Sequence, residues 1–152
     1  MKKAIFILAF TLLCVVNTFA QIKADDICGL WVTEDSRGKM LIYKNTATNT
    51  YEIKVHWQKN SKDENGNEKL DKKNPDPKLR NRTFQNMIIA SDLKWDADDQ
   101  NWVGGKVYNP EDGNFYSCKA RLDNSKAILR FRGYLWVSLL GKTTTWYRTT
   151  TY

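Results

Sequence analysis

The chain has 152 residues, with 24 Lys plus Arg against 17 Asp plus Glu, and 41% of its residues are hydrophobic. This composition excludes an intrinsically disordered protein, and the length excludes a large multidomain enzyme. A single globular domain of this size buries enough surface to fold without a disulfide or a metal.

The N-terminus has the composition of a secretory signal. Lys2 and Lys3 precede an apolar run from Ala4 to Val16, and Thr18-Phe19-Ala20 places small residues at the usual cleavage positions. We therefore predict a signal peptide over residues 1–20.

Cleavage after this segment would leave one mature domain, residues 21–152, exported to the periplasm or secreted by a bacterium. The alternative is a lipoprotein signal ending at Cys14, but Leu13 is larger than the residue that such a site prefers. The mature sequence contains no apolar run long enough to predict a transmembrane segment.

Two cysteines remain in the mature chain, Cys28 and Cys118. In an oxidising compartment a pair of cysteines is more often bridged than free, so we predict a disulfide between them. Closing a loop of about 90 residues would stabilise the fold by about 4–5 kcal/mol. The alternative is two buried free thiols.

Apolar and polar residues alternate along the mature chain with a period of two. The alternation is clearest at Tyr51, Ile53, Val55 and Trp57, and it predicts a half-buried strand there. The same pattern, interrupted by segments rich in turn-forming residues, predicts seven more strands. They are Gly29–Thr33, Lys39–Lys44, Met87–Trp95, Gln100–Tyr108, Phe115–Leu122, Ala127–Tyr134 and Lys142–Thr149.

About eight antiparallel strands must close or double over to hide their edges, and the simplest closure is an all-β, up-and-down barrel. A barrel of this size is either filled by side chains or holds one small ligand. A β-sandwich is the alternative. Trp57 and Trp95 are expected on buried faces. The alternation predicts that the inward-facing residues of two later strands are Tyr116, Cys118, Ala120, Leu122, Leu129, Phe131 and Gly133.

The segment 60–82 breaks the alternation, because Leu70 and Leu79 are almost its only apolar residues. A loop of this length in a compact domain is typical of a functional lid or of disorder, and Asn74-Pro75-Asp76-Pro77 favours a defined extended conformation. We predict an ordered basic loop across one barrel end, with Asp71 and Asp76 forming ion pairs inside it. The alternative is a solvated polar insertion.

The run Tyr134–Gly141 is uncharged and apolar, and no Asp or Glu follows Asp123, whereas five basic residues do. We predict a buried corner that seals the barrel bottom. The alternative is an exposed patch that contacts a membrane or an acidic partner.

Four segments carry a family resemblance: Gly29-x-Trp31, Leu70–Arg82, Gly104–Lys119 and Arg132–Arg148. Together they resemble the bacterial secreted family known as domain of unknown function 2147. The resemblance implies an exported single-domain protein with a small lipocalin-like barrel, and it brings no catalytic residues.

Gly29 and Trp31 near the start, with Arg148 near the end, are also similar to the lipocalin pattern, in which a late Arg covers a first-strand Trp. The resemblance implies a structural cation–π contact worth about 1 kcal/mol, which would close the barrel bottom.

The sequence shows no catalytic signature. The single histidine, His56, lies on the polar side of its strand, and no Gly-x-Ser-x-Gly elbow occurs. Gly141-Lys142-Thr143 lacks the first glycine of a phosphate loop, and the acidic clusters lack the spacing of calcium loops. One histidine and two cysteines cannot build a zinc site. We expect no cofactor, no metal site and, given export, no nucleic-acid partner.

These observations favour non-enzymatic binding of a small apolar or amphipathic ligand in the cell envelope, with the loop as a lid. One alternative is an inhibitor or assembly module with a filled barrel that docks on another envelope protein. A second is an enzyme acting through polar residues of the loop. The candidate ligand- or partner-binding residues are Trp57, Asp71, Asn74, Asp76, Arg80, Asn81, Arg82, Tyr108 and Tyr116.

Overall fold

The structure is a computed structural model that describes residues 21–135 and 141–151. The predicted signal peptide lies outside the described residues, and so do residues 136–140 of the apolar run. The start of that run is not buried, since Leu135 is 48% exposed. Among the described residues, no helix is both long and apolar enough to cross a membrane.

Eight antiparallel strands form a closed barrel in which each strand pairs with the next and the last pairs with the first. This closure confirms the predicted barrel and excludes the sandwich. Each strand begins and ends within one residue of its predicted bounds. The strands are β1 (Gly29–Thr33), β2 (Gly38–Asn45), β3 (Thr50–Gln58), β4 (Ile88–Asp96), β5 (Asn101–Asn109), β6 (Asn114–Leu122), β7 (Ile128–Tyr134) and β8 (Gly141–Thr149).

One end of the barrel, here called the closed end, is covered by a short 3₁₀ helix, Ala24–Ile27. Ile27 is fully buried, and its carbonyl accepts a hydrogen bond of 2.9 Å from the indole of Trp31. The indole of Trp102 donates to the carbonyl of Ala24 at 3.0 Å. The opposite end, here called the mouth, carries the β1–β2, β3–β4, β5–β6 and β7–β8 connections.

The interior is filled most completely toward the closed end. Inward-facing Cys118, Ala120, Leu122, Leu129 and Phe131 are all buried, as the alternation predicts. The other two predicted inward-facing residues, Tyr116 and Gly133, lie nearer the mouth and are partly exposed. The largest fully buried side chains are Trp31, Trp102, Tyr51, Ile27, Ile42, Ile53, Leu93 and Leu129.

Trp57 does not lie on the buried face that the alternation assigns to it, since it is 41% exposed. A β-bulge shifts the register here, because Met40 pairs with Val55 whereas Lys39 pairs with Trp57. Partners in a ladder share a face, so the extra residue puts Trp57 on the outer face with Lys39. The ammonium of Lys39 lies 5.8 Å from the centre of the Trp57 ring.

The expected disulfide is not formed, because Cys28 and Cys118 are both free thiols in the structure. Cys28 precedes β1 at the closed end. Cys118 lies four residues before Leu122, where β6 reaches the closed end. Four residues span about 13 Å along a strand. A bridge needs Cα atoms within about 7 Å. Burial raises the pKa of Cys118 to about 12, so its thiol behaves as a small apolar core group.

Candidate functional site

The closed end is built around Arg148 and Trp31. Arg148 pairs with Trp31 across β8 and β1, and its guanidinium lies 4.3 Å from the centre of the Trp31 ring. The same guanidinium donates to the carbonyls of Cys28 at 2.9 Å and Lys126 at 2.8 Å. Gly29 has a φ of +132°, and a Cβ there would lie 2.9 Å from the guanidinium. These residues seal this end of the barrel.

Several inward-facing side chains at the mouth are apolar or aromatic and partly exposed. Val107 lies inward on β5, because it pairs with buried Ala90 and packs against the core. Tyr116 pairs with Val107 and shares its face. Met40, on β2, also faces inward and is partly buried.

Below this rim, two aromatic rings form the floor of the mouth. The rings of Phe131 and Trp146 are stacked, with centroids 4.9 Å apart and an interplanar angle of 19°. Both residues are buried. A flat apolar floor of this kind suits the apolar part of a ligand.

Gly133 also faces inward near the mouth, because it pairs with Cys118. A Cβ on it would lie 3.5 Å from the nearest atom of Val107, an ordinary van der Waals contact, so the position tolerates a side chain. Gly105 on β5 does not, because it is closely packed against Leu93 and Cys118.

The hydroxyl of Tyr116 donates to Asp112 in the β5–β6 turn at 2.6 Å, and this hydrogen bond raises the pKa of Tyr116. Tyr116 thus presents its ring at the rim while its hydroxyl is bound to the turn. Lys142 and Thr144 add polar groups to the inward face, since they pair with Gly133 and Phe131.

The long loop between β3 and β4 is ordered around the carboxylate of Asp71, which has no exposed surface. One carboxylate oxygen accepts from the hydroxyl of Tyr108 at 2.5 Å. The other accepts from the amide of Asn74 at 2.7 Å and from two nitrogens of Arg82, at 3.0 and 2.9 Å. Every oxygen of the buried carboxylate is occupied, as buried charges require.

The remaining polar candidates of the loop extend this network. Arg80 donates to the carbonyl of Asn74 at 2.7 Å. Asp76 caps a short 3₁₀ helix by accepting from the backbone nitrogen of Lys78 at 2.9 Å. The predicted ion pairing is therefore present at Asp71 with Arg82, while Asp76 caps a turn. Asn81 is exposed on the same loop.

The loop is held on the outside of the β5–β6 hairpin. Tyr108 lies on the face of β5 opposite to inward-facing Val107, so Asp71 binds it from outside the barrel. Lys73 donates to the carbonyl of Glu111 in the turn at 2.5 Å. Its own carbonyl comes so close to Gly113 that a Cβ there would lie 2.2 Å away. Desolvation and the hydrogen bond to Asp71 raise the pKa of Tyr108 to about 12.

The sequence-predicted candidates therefore fall into three places. Asp71, Asn74, Arg80, Arg82 and Tyr108 converge in the network that anchors the loop, Tyr116 lines the mouth, and Trp57 lies on the outer face. Sequence reasoning missed Met40 and Val107 as mouth residues. The alternation in their strands marks them as inward-facing, but only strand pairing shows which barrel end they reach.

Two clefts lie outside the barrel at the closed end, with volumes of about 430 and 400 Å³. The first, around Asn101 and Arg121, is mainly polar, and the second, around Lys44 and Tyr51, is evenly mixed. Within the part of the chain that the structure describes, no group of three or more His, Cys, Asp or Glu could hold a metal ion.

Comparison with known proteins finds a similar solved structure and a matching family. The solved structure of protein HP1028 from the human pathogen Helicobacter pylori, described as belonging to the lipocalin family, is similar, with a TM-score of 0.66 and 27% identity over 82% of this chain and 83% of that chain. No curated protein gives a significant match. Residues 29–148 match the family described as uncharacterised proteins conserved in bacteria, DUF2147. This match covers most of the chain, and the protein therefore belongs to the DUF2147 family.

Proposed function

We propose that this protein is an exported, non-enzymatic carrier that binds a small apolar or amphipathic ligand in the mouth of its barrel. One observation carries the proposal: inward-facing side chains are buried toward the closed end, whereas Met40, Val107 and Tyr116 at the mouth are partly exposed. Lys142 and Thr144 add polar groups to the same face. Binding sites of small ligands are typically apolar concavities with a few polar groups, and barrel mouths are common places for them.

The arrangement of the loop supports a binding role over catalysis. A catalytic carboxylate must reach a substrate, but Asp71 is fully buried and bound by Tyr108, Asn74 and Arg82. The similarity to a protein described as a lipocalin family member supports the same class of function. Export rests on the signal-like residues 1–20.

The experiment is mass spectrometry of the protein purified from the periplasm of an expressing bacterium, under native and then denaturing conditions. We expect extra mass in the native spectrum that is lost on denaturation and that identifies the ligand class. A bare chain in both spectra, together with no binding of a fluorescent fatty-acid probe to the purified protein, would contradict the carrier proposal.

A further inference from the structure

The outer face of β6 and β7 carries like charges directly opposite each other. Lys119 pairs with Arg132, and Arg121 pairs with Arg130. All four point outward, because the alternate residues, Cys118 among them, face the core. Like charges opposite each other in a ladder destabilise a sheet, so this two-by-two cationic block works against folding.

No carboxylate in the neighbouring strands offsets this repulsion. Strands β6, β7 and β8 contain no Asp or Glu. Asp112 and Asp123, in the turns at either end, accept hydrogen bonds within their own turns. Among the described residues, no ion pair involves Lys119, Arg121 or Arg130, and Arg132 donates to the hydroxyl of Thr143 at 2.8 Å.

Aromatic side chains continue the same face toward the mouth. Phe115 on β6 is 59% exposed. Tyr134 pairs with Ser117 on β6, so it shares the outer face, and it is partly exposed. The outer face therefore consists of an exposed apolar rim near the mouth and a cationic block behind it.

We propose that this face, formed by Phe115 and Tyr134 with the cationic block, docks the barrel on an anionic lipid bilayer. Surfaces that combine exposed aromatic and aliphatic side chains with Lys and Arg bind at the boundary between headgroups and acyl chains. The cations would contact lipid phosphates while the apolar rim enters the interface. Anions that cover the block would offset the repulsion between its like charges. This surface lies outside the barrel, so its role stands independently of the ligand proposed for the mouth.

A nucleic acid fits this face less well than a bilayer does. Proteins that bind single strands guide the backbone along a positively charged groove lined by stacking rings. Here the cations lie on the convex outside of a barrel rather than along a groove.

The test is binding of the purified protein to vesicles of phosphatidylcholine alone and of phosphatidylcholine mixed with phosphatidylglycerol. The variant Lys119→Gln with Arg121→Gln and Arg130→Gln removes three charges from the block. The matched control, Lys59→Gln with Lys62→Gln and Lys94→Gln, removes three exposed charges elsewhere.

We expect the protein to bind only the anionic vesicles. Each Lys or Arg near such a surface contributes about a fivefold gain in partitioning, so the block variant should bind on the order of a hundredfold more weakly. The control should lose much less. Because the block variant removes repulsion, its melting temperature should be unchanged or higher, which separates lost docking from lost folding. The variant Phe115→Ser should also weaken binding, by roughly tenfold.

Three results would overturn the proposal. Equal losses in the block variant and the control would show a general charge effect. Equal binding of the protein to both vesicle types would show that anionic lipid is not recognised. Binding to a single-stranded oligonucleotide without binding to either vesicle would assign the block to a soluble polyanion.

Discussion

The guanidinium of Arg148 lies 4.3 Å from the centre of the Trp31 ring and donates hydrogen bonds to three backbone carbonyls. Its hydrogen bonds reach Cys28 and Asp26 before β1 and Lys126 in the β6–β7 turn. One side chain thus connects β8, the N-terminal segment and a turn, three parts of the chain that are distant in sequence. These contacts seal the closed end of the barrel.

Arg148→Ala should destabilise the protein by about 2 kcal/mol, since it removes a cation–π contact and hydrogen bonds from a charged donor. Denaturant unfolding would measure the loss. Ligand binding at the mouth should not change. Arg130→Ala, at an exposed arginine on β7, is the control and should change stability by no more than about 0.5 kcal/mol. Equal stability of both variants would contradict the sealing role of Arg148.

Asp71→Asn should release the long loop. The substitution removes the charge that pairs with Arg82 at a fully buried position, at a cost of about 3 kcal/mol. Trypsin should then cut at the lysines of the loop far faster than in the unchanged protein, as followed by gel electrophoresis. Asp99→Asn, in an exposed turn, is the charge-matched control and should leave the cleavage rate unchanged. Persistent protection of the loop in Asp71→Asn would show that other contacts hold it.

Gly133→Leu should block the mouth without unfolding the barrel. The backbone of Gly133 is ordinary extended strand, and its missing Cβ has normal van der Waals space. The added side chain should therefore occupy the lumen and abolish the extra mass in native mass spectrometry. Thr145→Leu, on the outer face of β8, adds a similar side chain and should retain the ligand. Retention by both variants would place the ligand elsewhere.

The protein should lose stability in alkali through its tyrosines. The pKa of Tyr108 and of Tyr43 is raised to about 12, first by desolvation and then by donation to Asp71 and Glu52. The pKa of each tyrosine is thus higher in the folded protein than in the unfolded chain, where it is about 10. The stabilisation is therefore complete below pH 10 and disappears as the pH rises toward about 12.

Tyr108→Phe tests this dependence. The variant should be less stable at neutral pH, by about 1 kcal/mol, and should lose less further stability between neutral pH and about pH 11. Free energies of unfolding across that range would measure both effects. A parallel decline in the two proteins would show that Tyr108 does not contribute to the alkaline transition.

The strand pattern was predictable because side-chain direction in a strand depends only on position along it. Alternation at residues such as Ile53 and Leu129 therefore placed the strands and most of the core. It failed at Trp57, where a bulge adds one residue and reverses the face. A bulge depends on pairing with the neighbouring strand, which local alternation does not report.

The candidate site was predictable only in part. The polar loop was visible in composition, but the mutual contacts of Asp71, Arg82 and Tyr108 join residues far apart in the chain. Composition favoured a lid across the barrel end, whereas the observed contacts of the loop hold it to the outside of the β5–β6 hairpin. The disulfide prediction was wrong for the same reason, since the number of residues between Cys28 and Cys118 does not give their distance in the fold.

The sequence by itself determined the number and the bounds of the eight strands, because local alternation and turn-forming residues are read residue by residue. The tertiary structure decided that the strands close into a barrel rather than a sandwich, and which end of the barrel is sealed. It also aligned the cations of β6 and β7 opposite one another. Those properties depend on the register between strands, which is set when the sheet closes on itself.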